Sequence, residues 1–445
     1  MDPDKLIDAV RQAGVVGEGG AGFPAHVKYA ARVETVIANG CECEPLLFSD
    51  QHIMATRARR IVYALQAVRQ AMGARRAVVA IKDKYARAAA ALAEAMTGDG
   101  LELFRLDNFY PAGDEQILVY EITGRTVPPL GLPTEVGVVV ANVGTLSSVA
   151  EALDGRPVTH KIVTVTGEVA RPAVVRVPVG TRVARLVEHC GPVTVADPVI
   201  VMGGPMMGRM VDRPEALAAE VITKTCGGVV VLPRGHYLHQ AATLSVAEMQ
   251  RRARTACIQC RYCTDLCPRF LIGQEFETHK VMRTFSGATQ AAQGAVQAAL
   301  CCECGLCELF SCPMHLSPRR INQLFKARMR QEGLAYDGPR AVSAHQAALR
   351  AYRKIPTDRL AVKIGIDGYM GLHPGFEGDW NPGEVRIPLS QHIGAAAIAV
   401  VRPGQRVKAG DLIGEIPEGC LGARVHASID GAVTAVDQAV TVKGV

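Results

Sequence analysis

The chain has 445 residues, of which 49% are hydrophobic and 21% charged, with a formal net charge of +6; this is the composition of a soluble globular protein too long for a single hydrophobic core. No charge-free apolar run reaches the ~18 residues of a membrane helix, and Met1-Asp2-Pro3-Asp4-Lys5 lacks the basic start and apolar stretch of a secretory signal. Scattered arginine pairs, a single Trp and a 5% aromatic share argue against nucleic acid as a partner, because such platforms interleave basic grooves with stacking rings.

Residues 6–13 read as an amphipathic helix ended by Gly14. Next, Gly17-Glu18-Gly19-Gly20-Ala21-Gly22 matches G-x-G-x-x-G letter for letter. The dinucleotide fingerprint, however, follows a buried strand and opens a helix. Here a helix precedes the run, and Phe23-Pro24 after it permits only an early helical turn. What survives is general: closely spaced glycines let backbone N–H groups approach an anionic phosphate, and as a plain turn they are entropically costly.

A strand over residues 35–40, a helix over 50–72, a strand over 77–81 and a helix over 85–96 follow. This alternation predicts an α/β layer architecture with a parallel sheet and ligands at the carboxyl ends of its strands. The strand ending at Asn39 runs into Gly40-Cys41-Glu42-Cys43-Glu44-Pro45, which sets two carboxylates and two thiols at that edge. Cys41 and Cys43 read as wall residues, a lone Cys-x-Cys pair being a weak metal signal. From Lys161 to about Leu232 the pattern becomes strand-rich with one helix over 181–188, as in a small β-grasp module. Met206-Met207 within it is expected to pack, and Cys190 and Cys226 to be buried thiols.

Two cysteine runs dominate the third quarter: Cys257-x2-Cys260-x2-Cys263-x3-Cys267-Pro268 and Cys301-x2-Cys304-x2-Cys307-x4-Cys312-Pro313. An iron-sulfur cube needs four converging thiolates, and in two-cluster ferredoxins the fourth cysteine of each run serves the other cluster. One [4Fe-4S] cluster is therefore assigned to Cys257, Cys260, Cys263 and Cys312, and the second to Cys301, Cys304, Cys307 and Cys267. Structural zinc fits such triple runs badly, since it pairs Cys-x2-Cys units. Cys302 replaces Cys301 as a ligand only if the next gap shortens, and otherwise is a buried thiol beside the cluster. Fourteen cysteines without a signal point to a reducing, cytoplasmic compartment. Past a linker, residues 387–445 alternate short strands and glycine turns, as in the barrel-sandwich hybrid of lipoyl and biotinyl carriers but without their hairpin lysine. This end of the chain reads as a docking or structural domain.

Gly19-Gly20-Ala21-Gly22-Phe23-Pro24, Lys28 and Asn39-x-x-Glu42-x-Glu44-Pro45 resemble the FMN- and NADH-binding subunit of respiratory complex I. Tyr110-Pro111-Ala112-Gly113-Asp114-Glu115, Gly131-Leu132-Pro133 and Asn142-Val143-Gly144-Thr145 resemble the same superfamily in the form found in the Rnf complex. The wording around Asn39 to Leu47, with Asp50-Gln51-His52, is most similar to the cobalamin reductases of propanediol-utilization microcompartments, and so is the order of parts. The resemblance implies an α/β, multidomain fold: an FMN/NADH-binding domain over 1–155, an SLBB β-grasp domain over 156–240, a helical two-cluster ferredoxin-like module over 241–335, a linker over 336–385 and a barrel-sandwich hybrid over 386–445.

It further implies that Gly19, Gly20, Gly22, Lys28, Asn39, Glu42, Asn142 and Thr145 hold FMN. Phe23 and Glu44 would meet NADH, the first by stacking and the second by hydrogen bonding. Glu115, in the matching turn, bonds ligand or backbone or is a solvated loop acid. Val16-Gly17-Glu18 stands where complex I relatives carry arginines.

A flavin takes a hydride's two electrons and releases them singly to clusters that accept one each, so the assembly would be an electron converter. The implied acceptor is cobalamin or a corrinoid adenosyltransferase, inside a bacterial microcompartment and with a shell protein as a partner. The alternatives are a membrane-associated Rnf-like subunit, whose family carries the barrel-sandwich segment at its N-terminus, and a ferredoxin-like carrier or docking protein without flavin.

Overall fold

The computed structural model describes residues 1–287, 292–343 and 348–444. Its first layer is a parallel sheet of β1 (Thr35–Gly40), β2 (Arg76–Lys82), β3 (Leu101–Leu106) and β5 (Val138–Asn142), in the order β3-β2-β1-β5. The two-residue strand β4 (Phe109–Tyr110) lies outside it. The helices are α1 (Pro3–Gln12), the single turn α2 (Ala25–Lys28), α3 (Ser49–Ala71), α4 (Ala86–Ala95), α5 (Glu115–Thr123) and α6 (Val143–Leu153). Strand periodicity sorts the core: Val36, Ala38, Val79 and Val139 pack toward α1, α3, α4 and α6, whereas Ile37, Val78, Ala80 and Val140 pack toward α5. With both faces covered, the strands read as continuous apolar runs.

Strands β6 (His160–Gly167) and β7 (Ala173–Pro178) form an antiparallel hairpin; a helix at Val183–His189 and strands β8 (Pro198–Met202), β9 (Arg209–Val211) and β10 (Gly228–Pro233) complete the β-grasp. Parallel pairing of β10 with β6, beside its antiparallel pairing with β8, closes the unit. The chain then enters helices Val246–Ala256, Thr278–Ser286 and Pro318–Glu332, which surround the cysteine loops.

The stretch expected as a linker is in part a strap. Its β11 (Ile355–Pro356) pairs with β4, its helix Thr357–Ile364 packs beside Cys304 and Leu309, and β12 (Gly375–Asp379) adds to β7 in parallel. Gly-Phe-Glu-Gly-Asp has no apolar alternation, so only its edge position makes it a strand.

The end of the chain forms two antiparallel sheets, β13 (Glu384–Pro388) with β15 (Arg406–Val407), β18 (Gly431–Val436) and β19 (Ala439–Lys443), and β14 (Ile398–Ala399) with β16 (Leu412–Glu415) and β17 (Val425–His426). This is the barrel-sandwich hybrid, and it folds back onto the glycine loop. The buried Lys224 ammonium donates to the carbonyls of Gly14 and Arg424, each at 2.7 Å, which ties three parts of the chain together. Burial pushes its pKa down to about 7. Gly14 has φ +65°, and a Cβ there would lie 2.2 Å from the Arg424 carbonyl oxygen, so this junction admits only glycine.

Among the described residues no helix is long and apolar enough to cross a membrane.

Candidate flavin and iron-sulfur sites

The glycine run is a closed loop between α1 and α2. Val16 bridges Pro24, and the Gly17 N–H donates to the Phe23 carbonyl at 2.9 Å. Proline caps the helical turn that follows, and that turn presents Lys28. The Lys28 ammonium is held at 2.7 Å by Glu115 and at 2.7 Å by the carbonyl of Val140 on β5. Asn39 and Asn142 are register partners at the carboxyl ends of β1 and β5. The Asn39 amide donates to the Gly113 carbonyl (2.9 Å), and Asn142 caps α6 while donating to Asp50 (2.8 Å). A Cβ on Gly19 would sit 3.1 Å from the Asn142 side chain, whereas nothing stands within 4 Å of one on Gly20. One sheet edge thus carries a bare glycine backbone, an ammonium and two amides, a donor set that fits the phosphate and ring of a flavin.

The structure also shows partners that the sequence did not announce. Glu18 donates its N–H to the Thr145 hydroxyl at 2.9 Å, and its carboxylate takes the Ser148 hydroxyl and pairs with Lys161. This buried pair covers the first turn of α6, where a Cβ on Gly144 would meet the carboxylate at 2.9 Å. Only the departure at Val16-Gly17-Glu18 signalled it. Glu44 turns away from solvent, and its two oxygens accept the N–H groups of Met206 and Met207, both at 2.8 Å. Arg319 holds the Met206 carbonyl from the other side at 2.7 Å, so the methionine turn is clamped between the sheet edge and the cysteine module. Glu44 in this arrangement grips protein, and Phe23 is 37% exposed on the glycine loop.

Burial pushes Glu44 up to about 7 against the pull of those two N–H groups. Burial and the charge of Asp50 push Glu42 up to about 8. A carboxyl whose folded pKa exceeds its unfolded value binds its proton more tightly when folded. The stability it contributes is present at low pH and is lost as pH rises from about 4.5 to about 8. Glu42→Gln keeps an acceptor for the Glu44 N–H and removes that loss. Thermal melting is expected to show the variant more stable than wild type at pH 9 by several kcal/mol, up to about 5, and equal to it below about pH 4; equal curves at pH 9 would show that Glu42 is not held neutral.

The eight cysteines sort into two sets. Cys257, Cys260, Cys263 and Cys312 line one cavity together. Burial pushes the Cys263 thiol up to about 12, and the sulfurs of Cys312, Cys260 and Cys257 act on it in the same direction. Cys307 is raised first by burial, then by Cys301, Cys267 and Cys263, and Cys304 by its bond to Cys302, by burial and by Cys307 and Cys267. Cys267 of the first run thus stands near thiols of the second, and Cys312 of the second near thiols of the first. Positive φ at Gln259, Arg261, Glu303 and Gly305 curls each loop so that successive thiols converge. Among the described residues no three such groups close tightly enough to share a single metal ion. Eight thiols spread around two centres fit [4Fe-4S] cubes. Cys302 hydrogen-bonds Cys304 and lies near Arg269, a thiol beside the second set.

Tyr110 joins the two regions. Its fully buried ring packs with Leu46, Leu47 and the half-buried Cys43 of the acid loop, and its hydroxyl donates to the Cys304 carbonyl at 2.6 Å. Arg269, two residues after Cys267, makes a second link through a bidentate bond to Asp114 at 2.7 and 3.0 Å.

Comparison with known proteins follows the same layout. Residues 10–151 match the family described as the Nuo51 FMN-binding domain, 162–209 the SLBB domain, 256–317 the 4Fe-4S dicluster domain and 379–445 the RnfC barrel sandwich hybrid domain. The cobalamin reductase PduS of Salmonella typhimurium is 43% identical over 99% of this chain and 97% of its own length, and that of Citrobacter freundii 42% over the same shares. The chain belongs to the PduS cobalamin reductase family.

The chain is also similar to one component of the Na(+)-translocating ferredoxin:NAD(+) oxidoreductase complex of Acetobacterium woodii, at 33% identity over 60% of this chain and 58% of that component. Among solved structures, an NAD+-reducing [NiFe]-hydrogenase in the H2-reduced state aligns with a TM-score of 0.50 at 22% identity, over 79% of this chain and 66% of that one, a likeness of fold.

Proposed function

We propose that this chain is an NADH-dependent flavin and iron-sulfur reductase that delivers electrons toward cob(I)alamin for adenosylation. The observation that carries the reading is Tyr110, which touches the acid loop at the sheet edge and bonds the backbone of Cys304. The candidate flavin edge and one thiol set are therefore neighbours inside a single protein. When bound, FMN converts a two-electron hydride into single electrons, and [4Fe-4S] clusters accept them one at a time.

The chain's own residues do the positioning. Lys28 and the glycine loop would hold the anionic and ring portions of the flavin, Asn39 and Asn142 fix the strand ends beneath it, and Glu115 sets the reach of Lys28. Phe23 would stack on the nicotinamide nucleotide. Glu44 would reach NADH only after releasing an N–H of Met206 or Met207. The apolar packing of Leu300, Leu306, Leu309 and Leu316 about the second run keeps water from its thiols.

The test is anaerobic reconstitution followed by NADH. Flavin bleaching and a reduced-cluster EPR signal are expected, then reoxidation on adding cob(II)alamin. Bleaching without corrinoid turnover would redirect the reading to another acceptor. Lys28→Ala is expected to weaken FMN retention by tenfold or more, since it removes a charge-assisted contact worth about 1.5–3 kcal/mol, as read by flavin fluorescence after gel filtration. Full retention would place the flavin elsewhere.

A further inference from the structure

We propose that the mouth of the Cys257, Cys260, Cys263 and Cys312 set is a docking surface for an acidic redox protein; this rests on reading those thiols as a cluster site. The two sets differ in depth. Cys267, Cys301, Cys304 and Cys307 are each no more than 9% exposed, whereas Cys257, Cys260, Cys263 and Cys312 are half-buried around a cavity. Cys304 of the inner set shares the core around Tyr110, and none of the outer four does. A cluster would fill the outer cavity, so an electron acceptor meets its rim rather than its interior.

That rim has the anatomy of a protein interface, an apolar centre with a polar border. Ile258 is 63% exposed, Tyr262 53% and Met314 37%, and they come from both cysteine loops. The charged groups lining the cavity are Arg261 and Arg283, with His279, and no carboxylate lines it. Asp265 and Glu277 pair with Arg261 at 3.8 and 3.7 Å from outside the cavity, but they are shared with Arg353 and Lys280, so the rim keeps its positive charge. Arg254, exposed on the adjoining helix, anchors to the Ser286 carbonyl and extends the basic border. Complementarity therefore selects an acidic partner, whose approach a cationic rim steers and whose apolar contacts Tyr262 and Ile258 receive.

The test uses the full, anaerobically reconstituted chain, with an acidic plant-type [2Fe-2S] ferredoxin as probe and basic cytochrome c as its counterpart, both followed by biolayer interferometry. Ferredoxin is expected to bind and to weaken steeply with salt. Tyr262→Ser and Arg254→Gln should each lower its affinity about fivefold to tenfold, while iron content and NADH bleaching of the flavin stay at wild-type levels. Unchanged ferredoxin affinity in both variants, or equal binding of cytochrome c, overturns the proposal. So does competition by cob(II)alamin for the same rim, which would make the corrinoid itself the occupant. Failure of the wild-type chain to form clusters overturns instead the reading beneath it, and iron analysis tells the two apart.

Discussion

Serine at Cys267 is expected to remove the cluster held by Cys301, Cys304 and Cys307 and to spare that of its own run, and serine at Cys312 to do the reverse. Each change should lower bound iron from about eight to about four per chain, one cube of four irons being lost, and should erase one of two distinguishable reduced-state EPR signals. The physical reason is the direction of the two loops. If each triple run wraps one side of a centre, the Cys-Pro that follows leaves toward the other; Cys267 acts on Cys307, and Cys260 and Cys257 act on Cys312, as that crossing requires. Loss of the same-run signal in either variant would mean the pairing is not crossed. Exposure sharpens the expectation: the signal that survives in Cys267→Ser belongs to the half-buried set and should respond faster to soluble oxidants.

Arg269→Ala is expected to be among the most destabilising single changes in the chain, by about 3–5 kcal/mol. Arg269 and Asp114 are only 10% and 15% exposed, and removing the cation leaves a buried carboxylate without its partner. Asp114 also caps α5 through the N–H groups of Gln116 and Ile117, so the loss reaches the turn that carries Glu115 and, through it, Lys28. Chemical denaturation should show a lowered midpoint, and flavin retention should fall with it. Arg269→Lys should recover only part of the loss, because a point charge cannot reproduce two parallel hydrogen bonds. A change below about 1 kcal/mol would show that water replaces the guanidinium at no cost, and that the cysteine module is fastened elsewhere.

Much of the chain was legible from local pattern. The strand 35–40 and the helix 50–72 emerge as Thr35–Gly40 and Ser49–Ala71, because a strand buried on both faces and a long helix write themselves into adjacent residues. The rejection of the dinucleotide fingerprint holds for the same reason: Pro24 and the preceding helix are near neighbours of the glycines, and the run closes as a loop through the Gly17–Phe23 bond. The expected linker was misread where its partner is remote, since β12 becomes a strand only by adding to β7 some 200 residues earlier. Asn39 and Asn142 stand side by side in register only because β1 and β5 pair, which no local pattern shows.

By itself, then, the sequence determined the kinds of domain present, the cysteine chemistry and the expectation that the fourth ligands cross, since thiolate spacing and hydrophobic period are properties of neighbouring residues. Only the tertiary structure decided what each candidate side chain touches. Glu44 is gripped by Met206 and Met207, 162 and 163 positions away, and Glu18 by Lys161, 143 positions away. It also decided that Tyr110 spans from the acid loop to Cys304 and that one thiol set faces outward while the other is enclosed. A carboxylate's partner and a thiol's depth depend on which distant surfaces meet, and no local pattern encodes that meeting.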